Sequence, residues 1–298
     1  MSSTELIPRL PSPVSEVSNE LLSGADVRLW LKRDDLIHSE VPGNKWRKLR
    51  GNVAQALHES ADTLVTFGGA YSNHLRAVAA MGRYCGLSTV GIVRGEPHDE
   101  LNPSLSEAVA NGMRLSYLDR ETYRRKHTDD VLAPLRAQYP HGYVIPEGGS
   151  NRLAVAGCAD IVTELNTQVD ADVICTPVGS GGTVAGIACG LDPGQRALGY
   201  SVLRSRGYLH REVTELITSA EASAGEWDIN EEFAFGGFAK RDTRLDDFIA
   251  WFDRRHGLRL EWVYVAKMLY GIHHMAQRGD FVPGTRIAAV VTGPATLW

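Results

Sequence analysis

The stretch Val41–Leu49 reads Val-Pro-Gly-Asn-Lys-Trp-Arg-Lys-Leu and places a lysine directly after a turn. Gly43 allows a tight turn and Asn44 is a favoured helix cap, so we expect a helix to begin here and to run to about Glu59. Apolar side chains recur along one face of that helix, at Trp46, Leu49, Val53 and Leu57. Lys45 is therefore predicted to lie on the first turn of a helix.

The predicted position of Lys45 favours a reactive amine. The positive end of a helix dipole disfavours an ammonium group, and partial burial lowers the pKa of a lysine further. The neutral amine is the form that makes a Schiff base with an aldehyde. The alternative is a solvated basic face formed by the cationic residues of this segment, which are Lys45, Arg47, Lys48 and Arg50.

The composition is ordinary for a soluble globular protein. Of its residues, 43% are hydrophobic and 22% are charged. A length of 298 residues suits about two domains, or one large α/β domain. A net charge of −5 argues against nucleic acid as a partner, because phosphate binding needs a basic surface. The four cysteines lack a metal-ligand spacing, so we expect reduced thiols, as in the cytoplasm. No apolar run suggests a signal peptide or a membrane partner.

Short apolar strands alternate with helical segments along most of the chain, which predicts parallel sheets covered by helices. The predicted fold class is α/β with two domains, each an open, mostly parallel sheet covered by helices. The smaller domain is expected to comprise residues 48–150, and the larger one residues 1–47 plus 151–298. Locally, we expect a short helix within Val14–Leu22 and irregular structure over residues 223–242.

A glycine-rich turn follows one predicted strand and opens a helix; it comprises Gly179, Ser180, Gly181, Gly182 and Thr183. Glycines let the backbone bend around an anion, and the start of a helix adds positive potential. The turn is therefore interpreted as a phosphate site, although it matches neither the GxxxxGK[ST] nor the GxGxxG pattern. The alternative is a tightly packed turn between strand and helix.

Two more turns follow predicted strands. One turn, formed by Ser72, Asn73 and His74, opens a helix, and Ser72 and Asn73 could serve only as its cap. The other turn begins at Thr292, which ends the last strand. Because parallel α/β sheets bind ligands beyond the carboxyl ends of their strands, we expect these turns and the glycine-rich turn to share one site. His74 alone would be interpreted as structural, and Phe238 either packs in the core or lines a pocket.

A lysine on a helix, a Ser-Asn-His turn and a separate glycine-rich turn, in this order, resemble the type II fold of pyridoxal-phosphate enzymes, which is tryptophan synthase β-like. The sequence is similar in particular to the 1-aminocyclopropane-1-carboxylate deaminase and D-cysteine desulfhydrase family. The resemblance extends over nearly the whole chain. It is carried by Gly43–Leu49, Phe67–His74, Pro146–Asn151, Val178–Gly186, Val263–Tyr264, Lys267–Met268 and Thr292–Gly293.

The resemblance implies roles around pyridoxal 5'-phosphate. Lys45 would hold this cofactor as a Schiff base and move a proton, with Ser72 as the alternative base. Asn73 would hydrogen-bond the phenolic oxygen of the cofactor ring, and Thr292 would approach the pyridine nitrogen. The glycine-rich turn Gly179–Thr183 would bind the cofactor phosphate.

The resemblance also implies a substrate side of the site. Ser72, with the backbone of Asn73 and His74, would face the substrate carboxylate. Tyr264 would act as a catalytic residue close to the ring and the substrate. Phe238 would line the substrate pocket at a position where the family usually has a tyrosine.

Val265 is a second departure from the family pattern. The ring-opening enzymes carry glutamate at this position and the desulfhydrases carry threonine. Valine cannot hydrogen-bond the pyridine nitrogen, so the ring would be a weaker electron sink, which disfavours the deaminase assignment.

The family likeness implies a pyridoxal-phosphate-dependent lyase or deaminase that acts on a small amino acid by D-cysteine desulfhydrase-like α,β-elimination. The alternatives are a specialised biosynthetic β-replacement or other amino-acid transformation, and 1-aminocyclopropane-1-carboxylate deaminase. A non-enzyme alternative is a catalytically inactive protein that binds a phosphate ligand. We expect no metal, and a homodimer that packs through the larger domain.

Overall fold

The structure is a computed structural model that describes residues 6–97 and 99–295, and its strands form two sheets. The strands are β1 (Val14–Val17), β2 (Arg28–Lys32), β3 (Thr63–Gly68), β4 (Ser88–Arg94), β5 (Met113–Leu118), β6 (Gly142–Ile145), β7 (Val173–Val178), β8 (Arg196–Ser201), β9 (Glu226–Asn230) and β10 (Arg286–Val290). The helices are α1 (Glu20–Gly24), α2 (Asn44–His58), α3 (Asn73–Cys85), α4 (Pro103–Ala110), α5 (Arg120–Arg124), α6 (Asp129–Gln138), α7 (Arg152–Leu165), α8 (Gly182–Gly190), α9 (Tyr208–Ser219), α10 (Thr243–His256) and α11 (Val265–Arg278).

The larger sheet has the strand order β1-β2-β10-β7-β8-β9. Its strands are parallel except β1, which pairs antiparallel with β2. Successive side chains of a strand face opposite sides, and β10 shows this directly. Ile287 and Ala289 belong to a core shared with α1, α10 and α11, whereas Ala288 and Val290 belong to a core shared with α7, α8 and α9. Helices therefore cover both faces of this sheet.

The smaller sheet has the order β5-β4-β3-β6 and is parallel throughout. One face packs against α2, α3 and α4, and the other packs against α5 and α6. The predicted α/β class with two mostly parallel, helix-covered sheets is confirmed. The predicted domain boundary at residues 47 and 48 falls inside α2, which packs on both α3 and α7, so the domain limits stay a prediction.

Three local predictions differ from the structure. Val14–Val17 forms β1 and Glu20–Gly24 forms a separate helix, so the single helix expected over Val14–Leu22 is wrong. The segment 223–242 contains β9 at its start. Leu57 of α2 is half exposed, whereas Trp46, Leu49 and Val53 are buried as expected.

The three predicted ligand turns all lie at the carboxyl ends of strands. Ser72 lies just beyond β3, Gly179 immediately follows β7, and Thr292 lies just beyond β10. The candidate site therefore lies at the carboxyl edges of the parallel strands.

All four cysteines are free thiols, and Cys158 and Cys175 are buried. The part of the chain that the structure describes contains no group of three or more His, Cys, Asp or Glu side chains placed to bind a metal ion. Within residues 6–97 and 99–295, no helix has the length and apolar content needed to cross a membrane.

Candidate active site

Lys45 is the second residue of α2, on the first helical turn as predicted. The predicted cap is wrong, because Gly43 rather than Asn44 occupies the N-cap position. Gly43 has φ of 65°, and a Cβ there would lie 1.8 Å from the Thr292 carbonyl oxygen. Asn44 instead donates from Nδ2 to Thr183 Oγ1 at 2.9 Å. The start of α2 is thus packed against both the end of β10 and the glycine-rich turn.

The Lys45 amine is held in a setting that favours its neutral form. Its Nζ donates to Asn44 Oδ1 at 3.1 Å. Burial, and secondarily the positive charge of Lys48, lowers the pKa of Lys45 to about 7. Roughly half of the amine is therefore unprotonated at neutral pH, which agrees with the expectation of a nucleophilic lysine.

The glycine-rich turn Gly179–Thr183 joins β7 to α8 and leaves the start of that helix open. Gly181 is the N-cap residue with φ of 79°, and no side chain of the described residues caps the helix. A Cβ at Gly182 would lie 2.6 Å from Ser150 Oγ and 3.1 Å from Lys48 Nζ. Only glycine lets the backbone approach these polar groups so closely. The uncapped N–H groups and the helix dipole favour an anion at this position.

Lys48 is a residue of the site that the sequence analysis treated only as part of a basic face. Its side chain is buried, and Nζ lies 3.0 Å from Ser150 Oγ and 3.4 Å from Ser180 Oγ. The two serine hydroxyls lie 2.8 Å apart. Three-residue spacing puts Lys48 on the same side of α2 as Lys45, and this spacing was the available signal.

The glycine-rich turn brings together the Lys48 amine, the hydroxyls of Ser150 and Ser180, and the open start of α8. All of these groups can donate hydrogen bonds. Lys48 and the dipole of α8 also favour negative charge. Burial lowers the pKa of Lys48, so an anion bound there would also relieve the cost of holding this cation away from water. The arrangement fits a phosphate group.

The Ser72–His74 turn begins α3. Ser72 caps the helix by accepting a hydrogen bond from Leu75 N at 3.3 Å, and Asn73 Oδ1 accepts one from Arg76 Nη1 at 3.4 Å. Among the residues that the structure describes, no basic side chain contacts Ser72 Oγ. A serine needs such a neighbour to accept a proton, so Lys45 is the stronger candidate base.

His74 is buried and its protonation state follows from its contacts. Thr66 Oγ1 donates to the Ile145 carbonyl oxygen at 2.8 Å, so its oxygen accepts from His74 Nε2, also at 2.8 Å. Nδ1 then carries a lone pair, and it has no partner among the described residues. Burial, with Lys45 and Lys48 nearby, lowers the pKa of His74 well below its usual value. The imidazole is therefore neutral.

Tyr264, Phe238 and Thr292 border the same region. A Cβ at Gly179 would lie 3.1 Å from a ring carbon of Tyr264, so that ring packs on the glycine-rich turn. The rings of Phe238 and Tyr264 meet edge to face with centroids 6.0 Å apart. Burial raises the pKa of Tyr264, which keeps its phenol protonated. Phe238 is 45% exposed, which is consistent with a pocket-lining position.

The structure thus brings most of the predicted site residues together. Direct contacts connect the start of α2, the glycine-rich turn, Thr292, Tyr264 and Phe238. His74 joins them through Gly149, whose added Cβ would lie 3.3 Å from His74 Cε1 and 3.5 Å from Lys48 Cβ. Ser72 and Asn73 lie at the same helix start as His74, but their hydrogen bonds stay within their own turn.

Comparison with known proteins gives one family for the whole chain. A family model described as "Pyridoxal-phosphate dependent enzyme" matches residues 10–293. A protein of Pyrococcus horikoshii named "Putative 1-aminocyclopropane-1-carboxylate deaminase" is 30% identical over 302 residues, covering 97% of this chain and 90% of the relative. The "Bifunctional D-cysteine desulfhydrase/1-aminocyclopropane-1-carboxylate deaminase, mitochondrial" of Arabidopsis thaliana is 30% identical over 314 residues, which cover 98% of this chain and 78% of the relative.

Solved structures agree with this result. A crystal structure described as that of an ACC deaminase homologue superposes with a TM-score of 0.83 and 27% identity, covering 97% of this chain and 92% of the other. A threonine deaminase of Solanum lycopersicum superposes with a TM-score of 0.67 at 18% identity, covering 96% of this chain and 80% of the other. The second likeness concerns the fold alone.

Proposed function

This chain belongs to the family of pyridoxal-phosphate-dependent enzymes, and we propose that it is a lyase that eliminates the β-substituent of a small amino acid. The observation that carries the proposal is the partly buried Lys45 amine, with a pKa of about 7, which Asn44 connects to a glycine-rich turn that also contacts the Lys48 amine. Relatives named for D-cysteine desulfhydrase and 1-aminocyclopropane-1-carboxylate deaminase activity support the substrate class.

The proposed cofactor contacts follow from the site. The start of α8, Lys48 and the hydroxyls of Ser150 and Ser180 would hold the phosphate. Asn73 and Thr292 are the proposed partners of the ring. Once bound, pyridoxal phosphate supplies an aldehyde that reacts with amines and a ring that withdraws electrons from the substrate α-carbon.

The chain's own residues would then orient the substrate and move protons. Lys45, when neutral, can accept the proton of the substrate α-carbon. Tyr264 retains its phenolic proton and can donate a hydrogen bond to the substrate or the leaving group. We propose that the start of α3, at Ser72, Asn73 and His74, receives the substrate carboxylate, because the N–H groups and dipole at a helix start favour anions.

Elimination is favoured over ring opening by the surroundings of Val265. This side chain is 1% exposed and belongs to the apolar core of the larger sheet. The buried Glu261 carboxylate nearby in sequence accepts hydrogen bonds from the backbone N–H groups of Val263, Tyr264 and Val265. A carboxylate that caps a helix in this way is not available to a pyridine nitrogen.

Product analysis of the purified holoenzyme tests the proposal. With D-cysteine, cleavage of the Cα–H and Cβ–S bonds followed by hydrolysis gives pyruvate, ammonia and hydrogen sulfide in equal amounts. We expect these products, and pyruvate, ammonia and chloride from β-chloroalanine. 2-Oxobutanoate from 1-aminocyclopropane-1-carboxylate at a comparable kcat/KM would instead support the deaminase alternative. Formation of a substituted amino acid only when a nucleophile is added would support β-replacement.

The rate at which Lys45 reacts with the cofactor is expected to increase with the fraction of neutral amine, which its lowered pKa determines. Because the pKa is about 7 rather than 10.5, the neutral fraction increases about fivefold from pH 6 to 7 and about twofold from pH 7 to 8. The rate of pyridoxal phosphate uptake by apoprotein should level off above neutrality in the same way. Stopped-flow absorbance measures this rate. An increase of about tenfold per pH unit through pH 9 would indicate an ordinary exposed lysine instead.

Lys48→Met is expected to weaken the binding of pyridoxal phosphate about 10- to 100-fold, because a charged hydrogen-bond donor to the phosphate is lost. Binding of pyridoxal, which lacks the phosphate, should change little. Titration of apoprotein with both compounds, followed by absorbance, separates the two effects. Lys240→Met, at an exposed lysine, is the matched control. Equal losses for pyridoxal and its phosphate would show that Lys48 acts on something other than the phosphate.

The assembly and the location of the protein stay predictions of the sequence. We propose a homodimer that packs through the larger sheet and its helices, and a cytoplasmic location. Size-exclusion chromatography with light scattering checks the first, and fractionation of the source cells checks the second.

A further inference from the structure

The segment 234–239 between β9 and α10, here called the Phe238 loop, has an unusual backbone. Phe235 and Ala239 have φ of 51° and 50°, and Gly236 and Gly237 have φ of 87° and 120°. Side-chain-bearing residues rarely adopt positive φ, because this conformation is strained for them. A loop with this backbone persists only where its surroundings hold it.

Lys267 is a buried side chain that hydrogen-bonds the backbone of the Phe238 loop at two points. It lies on α11, its side chain is 0% exposed, and its Nζ donates to the Ala234 carbonyl oxygen at 2.9 Å and to the Gly237 carbonyl oxygen at 2.8 Å. These two carbonyl groups span Phe235, Gly236 and Gly237, three of the four positive-φ residues of the loop. Burial lowers the pKa of Lys267 to about 8, partly opposed by Glu261, so the amine is mainly an ammonium at neutral pH. Charged donors make the stronger hydrogen bonds.

The same helix connects this loop to the candidate site. Tyr264 lies three residues before Lys267, and its ring packs on Gly179 of the glycine-rich turn. Phe238 directly follows Gly237, and its ring meets Tyr264 edge to face. A change in how Lys267 holds the loop would therefore be transmitted to Phe238 first.

We propose that Lys267 is a positioning residue for substrate binding, which holds the Phe238 loop so that Phe238 and Tyr264 form adjoining walls of the pocket for the amino-acid side chain. The inference rests on the proposed function, because it takes the region beside Gly179 as the substrate site. Phe238 has no proton to transfer, so its placement acts on the binding of the substrate more than on the chemical step.

Kinetics of Lys267→Met, Phe238→Ala and the double variant test the coupling between the two residues. Lys267→Met is expected to increase KM about tenfold, an effect typical of one altered apolar contact in a pocket. The value of kcat should change about twofold or less. In the Phe238→Ala background, the same lysine substitution should change KM by less than about twofold. Arg254→Met, at an exposed cation on α10, is the control and should leave both constants unchanged.

Hydrogen exchange of the holoenzyme, followed by mass spectrometry, supplies a readout that does not depend on activity. Lys267→Met should increase exchange in peptides covering 232–240 and leave the peptide of Gly179–Thr183 unchanged. If Lys267→Met does not fold, Lys267→Gln replaces it in the test. Glutamine retains two N–H donors, so this variant should show a smaller increase in KM.

Independent effects of the two substitutions on KM, or unchanged exchange over 232–240, would overturn the inference. A wild-type holoenzyme that converts no amino acid would overturn the proposed function instead. In that case the exchange comparison still decides whether Lys267 holds the loop.

Discussion

Lys45→Ala is expected to lower kcat/KM about 10⁴-fold, because it removes the amine that we assign both to cofactor attachment and to proton transfer. The variant should still bind pyridoxal phosphate through the glycine-rich turn and Lys48, since those contacts do not involve Lys45. Its absorbance should then be that of the free aldehyde rather than of a lysine adduct. Steady-state assays with the substrate identified by product analysis, together with absorbance spectra, measure both effects.

Lys45→Arg is the matched control for charge. Arginine retains a positive charge at this position but does not form a Schiff base, so it should be about as inactive as alanine. Added methylamine should partly restore turnover in Lys45→Ala, because a small amine can occupy the vacated space and accept the proton. Retention of activity within tenfold of wild type in Lys45→Ala would remove this residue from its assigned role.

Arg47→Met is expected to lower the free energy of unfolding by about 3–5 kcal/mol, because it leaves a buried carboxylate without its cation. Arg47 and Asp34 are 1% and 0% exposed, and Nε and Nη2 of the arginine donate to the two carboxylate oxygens at 2.6 and 2.8 Å. The same guanidinium bonds Glu164 of α7 at 3.0 and 2.9 Å. Urea unfolding followed by circular dichroism measures the change.

Arg50→Met is the control for this substitution on the same helix. Arg50 lies three residues further along α2, and it pairs with Asp160 at the surface, where both side chains are about 40% exposed. Exposed ion pairs contribute about 1 kcal/mol or less, so this variant should unfold almost like wild type. Equal losses for Arg47→Met and Arg50→Met would show that the Asp34–Arg47–Glu164 cluster does not anchor α2.

Much of the fold was predictable because most strands are short apolar runs next to turn residues. β9 was missed because its sequence, Glu-Trp-Asp-Ile-Asn, has no apolar run and it is an edge strand with β8 as its single neighbour. Val14 and Val17 lie three residues apart, which is the spacing of a helix, and pairing with β2 nevertheless makes this segment a strand. In both cases a distant partner determines the local structure.

Candidate site residues could be proposed from the sequence where one segment carries the signal, as with Lys45, Ser72 and the glycine-rich turn, and their roles stay predictions. Lys48 and Lys267 were missed as site residues because their importance comes from partners distant in sequence. Lys48 contacts Ser150 and Ser180, and Lys267 bonds carbonyl oxygens 33 and 30 residues away in sequence. Asn44 was misassigned as a cap because the close approach of Thr292 requires glycine at the cap position.

Borohydride reduction of the holoenzyme followed by peptide mass mapping tests the assignment of Lys45 most directly. Reduction fixes the cofactor covalently to the lysine that holds it. We predict that the reduced cofactor is found on the peptide that contains Lys45, at one equivalent per chain. Label on Lys48, on another lysine, or on none would contradict the account of the site.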